Sequence, residues 1–462
     1  MKNQFRFLLM LGVAASLIVL GSCDDDDDDD NGPDQTVVQL AQGNDNLSTL
    51  EAALVKFPDL VTTLSGSGQV TVFAPSNDAF ENLLEAIGQS NLDDIPDDVL
   101  RDVLEYHVLS GGTLSNQLTN GELTTVGGEK ITVNTSGGVT LNGSASVTTA
   151  DVRAKNGVVH LIDEVLIPPS IQPIVGTVVA PAYFNKNFTT LIAAVKAASS
   201  SILATLLSSG YKTLFAPTND AFVAAGITTL PDQATLDAVL KYHVLNSEVT
   251  SSQIASGSSN SETLNGKIYL SKNSSGVFLN GTSKVTTADI DAANGVVHVI
   301  DRTIMPPSET IAQLATRLSS TNPAEFTQLV AALARTQGQG ANDLLAAASS
   351  ASSNLTVFAP TDAAFQELYT ALGVSNVNEI PLNTLIAVLK HHVVSGRAFS
   401  TDLASGAGAT LNGNVTIDVS ANPPTVTGSS GGANVAKLQT SLLNIHATNG
   451  VIHVIDKVLL PQ

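Results

Sequence analysis

TVFAPSNDAF at 71–80 returns as TLFAPTNDAF at 213–222 and as TVFAPTDAAF at 356–365, and this segment decides how the chain is organised. Its β-branched and aromatic first half favours an extended strand, which the Pro brings to an end. The next residue, Ser76, Thr218 or Thr361, is a natural helix N-cap. Asp78 and Asp220, or Asp362 one place earlier, then fall in the first helical turn, where the helix dipole favours negative charge. The segment therefore reads as a strand–turn–helix corner, used three times. Its copies are offset by 142 residues (71 to 213) and 143 residues (213 to 356). A period that long marks tandem globular domains, since solenoid repeats run about 20–50 residues.

Two further landmarks keep the same order in each copy. NGVVHLIDEVLIPP (156–169) recurs as NGVVHVIDRTIMPP (294–307) and NGVIHVIDKVLLPQ (449–462). Each opens on an Asn-Gly turn signal and runs on as a continuous apolar strand, the pattern of a strand buried on both faces. Between corner and closing strand lie DVLEYHVL (102–109), AVLKYHVL (238–245) and AVLKHHVV (387–394). Leu100, Val103, Leu104 and His107 share one helical stripe, as do Leu236, Val239, Leu240 and His243, and Leu385, Val388, Leu389 and His392. The histidine thus faces the core each time. Ser/Thr/Gly-rich alternating stretches such as 137–152 and 275–290 predict short antiparallel strands with Asn-Gly turns.

With corner, Tyr-His helix end and NGVVHVID-type closing strand in place, the chain resembles the fasciclin domain family over about residues 34–462. The resemblance implies an α+β fold: three tandem domains, each a β-sandwich or wedge-shaped strand core with packed helices. The expected boundaries are 34–170, 171–308 and 309–462. It also implies extracellular adhesion modules that contact polysaccharide or matrix proteins, with no enzymatic activity general to the family. Carried onto this chain, it makes Tyr106 and Tyr242 candidate interaction residues, although a tyrosine at a helix end is also a common core residue. The third copy departs from the pattern: His391 stands in the tyrosine position and the Asn-Asp pair of the corner is lost.

Six of the eight histidines fall at repeat-equivalent positions: His107, His243 and His392, and His160, His298 and His453. No acidic or Cys ligand recurs beside them at metal-like spacing, so a structural role is expected, ring nitrogens tying helix to strand, with no metal and no cofactor. Gly428-Ser429-Ser430-Gly431-Gly432 matches the GxSxG nucleophile elbow only formally. It sits in a Gly/Ser loop of one copy, not between a buried strand and a helix.

Composition narrows the partners. With 21 Lys+Arg against 42 Asp+Glu, a formal charge of −21, the chain lacks the basic footprint that nucleic acid requires. Hydrophobic residues make up 43%, enough for real cores, but there is no Trp and only six Tyr. The scarcity of aromatic faces argues mildly against a sugar platform.

The first thirty residues read as an address. Lys2 and Arg6 precede a mainly apolar run, Leu8 to Leu20, too short to span a membrane. A signal peptide is expected over 1–22. Leu20-Gly21-Ser22-Cys23 resembles a bacterial lipobox, making Cys23, the only cysteine, the expected lipid attachment site. Asp24 to Asp30 then form an acidic tether within 23–33, resembling the export signal of surface lipoproteins of the Bacteroidetes phylum. The expectation is an exported protein, lipid-anchored to the outer membrane and surface-exposed, touching the membrane through its lipid only. Its expected function is adhesion to extracellular polysaccharide or to a matrix or cell-surface protein through repeated weak sites. The alternatives are a glycan-capturing accessory lipoprotein of an uptake system and a biofilm matrix scaffold.

Overall fold

The computed structural model describes residues 33–321, 325–430 and 434–462. The expected signal peptide, Cys23 and nearly all of the acidic tether lie outside them.

Each module starts with short helices, runs into the corner, and ends on the histidine-bearing strand. In the first, helices Val37–Gln42, Ser48–Val55 and Pro58–Leu64 precede strand Val70–Pro75 and helix Asn77–Ala86. The three N-caps behave as their sequence predicts. The hydroxyls of Ser76, Thr218 and Thr361 accept from the amides of Ala79, Ala221 and Ala364 at 3.2, 3.2 and 3.1 Å. Helix Asp97–Tyr106 follows, and then a meander whose last strand is Gly157–Ile162.

The strand order is where periodicity alone runs out. The closing strand pairs in parallel with the corner strand, Val70↔Gly157 through Pro75↔Ile162, and the other two modules repeat this register. The alternating stretches form the expected antiparallel ladders beside it. A parallel neighbour needs a long crossover, which here is most of the module. Gly157, Gly295 and Gly450 allow the approach. A Cβ at any of them would fall well inside contact distance of the carbonyl oxygen of Val70, Lys212 or Leu355.

The sheet curls differently in each copy. It is a single seven-stranded sheet in the first module, a closed barrel in the second, and two four-stranded sheets in the third. The central strands are buried on both faces. Phe73, Phe215 and Phe358 point into the strand-side cores, whereas Ala74, Ala216 and Ala359 face the helices.

Neither junction is an open linker. The helix-side cores of the first two modules merge through Ile167, Ile171, Ile174 and Val178, and Gln89 Nε2 donates to Pro181 O at 3.1 Å. The second junction uses other surfaces. Asn444 Nδ2 donates to Gly281 O at 2.8 Å and Asn273 Nδ2 to Thr401 O at 3.2 Å. Among the described residues no single helix is long and apolar enough to cross a membrane.

Candidate functional site

Each Tyr-His pair lies where the helix stops. His107, His243 and His392 are the C-cap residues of helices Asp97–Tyr106, Gln233–Tyr242 and Leu382–His391, and all three are buried. Nδ1 lies 2.7, 2.7 and 2.8 Å from the carbonyls of Val103, Val239 and Val388. Nε2 accepts from the amides of Leu166, Ile304 and Leu459 at 2.8, 3.2 and 2.8 Å. A carbonyl can only accept, so the proton sits on Nδ1 and the one remaining lone pair is taken by an amide. The ring ties the helix end to the segment after the closing strand and has nothing left for a metal. Burial holds all three imidazoles neutral, with pKa values of about 4.

His160, His298 and His453 use the opposite tautomer. Their Nδ1 atoms accept from the amides of Asp151, Asp289 and Asn444 at 3.2, 3.2 and 3.4 Å. Their Nε2–H groups donate to Thr113, Val249 and Ala398 carbonyls at 3.0, 2.8 and 2.9 Å. They stitch the closing strand to the loops beside it. The two histidine sets therefore serve separate backbone joints in each module, and the structure does not bring them together as a shared site.

The tyrosines are inside, not at a rim. Tyr106 and Tyr242 are 1% and 0% exposed. Their hydroxyls donate to Lys130 O and Lys267 O at 2.7 and 2.8 Å and accept from Asn142 and Asn280 Nδ2 at 3.0 and 3.1 Å. Burial raises both pKa values, that of Tyr242 to about 12. The residues singled out as interaction candidates thus hold the following hairpin in place and cannot themselves be touched by a partner. Their asparagine partners come from the Asn-Gly hairpin turns, at φ 51 and 48°.

What does reach the surface beside them is a residue that sequence reading passed over. The hairpin latched to the Tyr-His strand presents Val126, Leu264 and Leu411, 46%, 38% and 40% exposed. Their amides donate to Val108, Val244 and Val393 carbonyls at 2.8, 2.9 and 2.8 Å, which makes the three positions structurally equivalent. An apolar side chain held in solvent at one place in three copies was the available signal, visible only after the hairpins were aligned.

The Asn of each closing landmark was also under-read as a turn former. Asn156, Asn294 and Asn449 are buried, and their Oδ1 atoms accept from the amides of Val37, Val178 and Ile311 at 2.9, 2.8 and 2.8 Å. Their Nδ2 groups donate to carbonyls at the end of the preceding helix, Leu64, Leu206 and Ala348, at 2.7, 2.8 and 2.9 Å. One side chain thus pins the module's entry to its last strand.

In the third module His391 replaces the tyrosine and meets the formal elbow. Its Nδ1 lies 2.7 Å from Asn412 O, and Nε2 accepts from Ser429 N at 3.2 Å. Ser429 Oγ lies 3.1 Å from that Nε2 but donates to Asn414 O at 2.7 Å. The hydroxyl proton is committed to a carbonyl and the histidine lone pair to an amide, so the pair is not arranged as nucleophile and base. Gly431 and Gly432 lie outside the described residues. Among the described residues no three His, Cys, Asp or Glu side chains gather as a metal site.

These features define a class: tandem α+β modules with a parallel central strand pair and histidines spent on backbone joints. The chain belongs to the fasciclin domain family, whose profile matches residues 45–168, 186–306 and 324–461. It is 31% identical over 436 residues to transforming growth factor-beta-induced protein ig-h3 of Sus scrofa, covering 92% of this chain and 57% of that protein. Human periostin is 27% identical over 448 residues, covering 92% of this chain and 47% of periostin. Protein sll1483 of Synechocystis is 44% identical over 134 residues, covering 29% of this chain and 74% of that protein. The chain thus spans about half the length of the first two relatives.

Proposed function

We propose that the chain is an exported adhesion protein, lipid-anchored through Cys23, whose modules hold an extracellular polysaccharide or a matrix or cell-surface protein by repeated weak contacts. The observation that carries this reading is the trio Val126, Leu264 and Leu411, one exposed apolar residue on the same hairpin of every module. A single such residue makes a weak site. Weak sites tethered together raise avidity by about 10²–10⁴ without any stronger single contact. Membership of a family of adhesion modules supports the class of function, and the N-terminal address supports the location. The net charge of −21 favours a neutral or basic partner over an anionic one.

The test is binding of residues 31–462 to a panel of polysaccharides and matrix proteins at physiological salt. A saturable partner that is lost when Val126, Leu264 and Leu411 are all changed to Ser supports the reading. Retention of full affinity by that triple variant refutes these hairpins as the contact. A blank panel with folding intact moves the function to self-association as a matrix scaffold.

A further inference from the structure

The junction between the second and third modules holds a histidine outside the repeated set. His446 follows Asn444 on strand Ile445–Ala447 and packs edge-on against Tyr269 of the second module and Phe399 of its own, with ring centroids 5.8 and 5.4 Å away. Arg397 donates from Nη1 to His446 Nε2 and to the Ala447 carbonyl at 3.0 Å, and from Nη2 to the Thr448 carbonyl at 3.0 Å. The same guanidinium lies 4.4 Å over the Tyr269 ring, so the cation spans the two modules.

We infer that this junction is an acid-released latch, in which a proton on His446 frees the third module from the second.

Arg397 can only donate, so His446 Nε2 must keep its lone pair, and its ring proton lies on Nδ1, buried and without a partner among the described residues. A second proton has to enter at Nε2. It would remove the acceptor and set an imidazolium against a guanidinium between two aromatic rings. Among the described residues the ionisable groups around this point are Arg397, Tyr269 and, behind it, Tyr242, together with Asp402 on the Arg397 loop. Asp402 Oδ2 accepts from the Phe399 amide at 3.0 Å, and its buried Oδ1 has no partner among the described residues. Among the described residues the buried Ser271 and Thr401 hydroxyls find no partner either. Ser271 stands on the outward face of strand Gly266–Asn273, between Tyr269 and Asn273, both of which touch the third module. So many unmet polar groups leave the closed junction little margin against an added charge.

Burial first, and Arg397 second, lower the His446 pKa to about 3. In the released state the ring is an ordinary histidine near 6.5. The closed state therefore binds the proton more weakly. Closure keeps its full strength above about pH 6.5 and weakens about tenfold per pH unit below it, until about pH 3. From pH 7 to pH 5 the opening constant rises about 25-fold.

The full chain carrying Cys23→Ser and Ser271→Cys reports this opening. The reaction of the buried thiol with 2,2′-dithiodipyridine is measured from pH 7 to pH 5 and divided by that of an exposed thiol from Ser258→Cys. This ratio follows the opening constant even when the open state is rare. It is expected to rise about 25-fold, and to stay flat when His446→Gln is added, because Gln offers Arg397 an acceptor that does not titrate. Unchanged far-UV circular dichroism over the same range separates release from unfolding. A flat ratio without the Gln, or an equal rise with it, overturns the inference.

Discussion

Asn449→Ala tests how each module is closed. The Asn449 side chain is fully buried and holds three backbone groups: the Ile311 amide at 2.8 Å and the Ala348 and Ser350 carbonyls at 2.9 and 2.9 Å. Alanine leaves all three unmet. Each orphaned group costs about 1–3 kcal/mol, and the Ser350 carbonyl, nearer to solvent, recovers part of its share from water. The expected loss is about 4 kcal/mol. The third module suits the test because its helix-side core is separate, whereas those of the first two are fused. Hydrogen exchange of the amides of residues 355–359 and 450–455, read by mass spectrometry, should quicken about 10³-fold, since each tenfold corresponds to about 1.4 kcal/mol. A change below about fivefold would show that the helix end and the closing strand hold together without the clamp.

Acid should weaken the modules themselves through the C-cap histidines. His107, His243 and His392 are depressed from 6.5 to about 4. Their contribution is complete above pH 6.5 and is lost as pH falls towards 4, about 2 kcal/mol for each by pH 5. Thermal melts at pH 7 and pH 5 check this, and an unchanged melting temperature contradicts the buried neutral tautomer. Gly295→Ala should prevent the second module from closing, because the new methyl would collide with the Lys212 carbonyl oxygen inside the parallel pair. Limited proteolysis should then cut within 180–300 while sparing the third module, and a resistant second module would falsify the close-approach argument.

How much could be read in advance follows from which signals are local. The corner is local: an extended run, a Pro, a capping hydroxyl and an apolar helix lie within ten residues, so its geometry was legible. The histidine stripe was legible for the same reason, through a spacing of three and four. The parallel pairing of corner and closing strand was not, because two apolar strands some 80 residues apart carry no mark of which neighbour each will take. The double duty of Asn156, Asn294 and Asn449 was hidden behind a turn signal that was itself correct. The burial of Tyr106 and Tyr242 depended on Asn142 and Asn280, which a sequence shows only as hairpin-turn residues. The rule that extends the reading is to ask of every turn asparagine which buried hydroxyl or carbonyl its side chain can reach.

The same rule accounts for why, among the described residues, only the third module docks through this face. Asp151, Asp289 and Asn444 share one left-handed bulge, at φ 59, 60 and 57°. Each accepts through Oδ1 from the amide of Ser115, Ser251 or Ser400, at 2.6, 2.7 and 2.7 Å. In the first two modules the serine hydroxyl donates to the second carboxylate oxygen, and the group ends there as an anion. In the third the direction reverses. Asn444 Nδ2 donates to Ser400 Oγ and, with its other hydrogen, to Gly281 O across the junction, each at 2.8 Å. A carboxylate there would meet that carbonyl with a lone pair instead of a proton. Two residues beyond the bulge, where the third module has His446, the others have Arg153 and Asp291. Just before the loop, where it has Arg397, they have Gly112 and Glu248. One amide for carboxylate and one cation over Tyr269 thus turn a face common to all three copies into a junction at only one of them, leaving the matching faces of the first two modules charged and free of it.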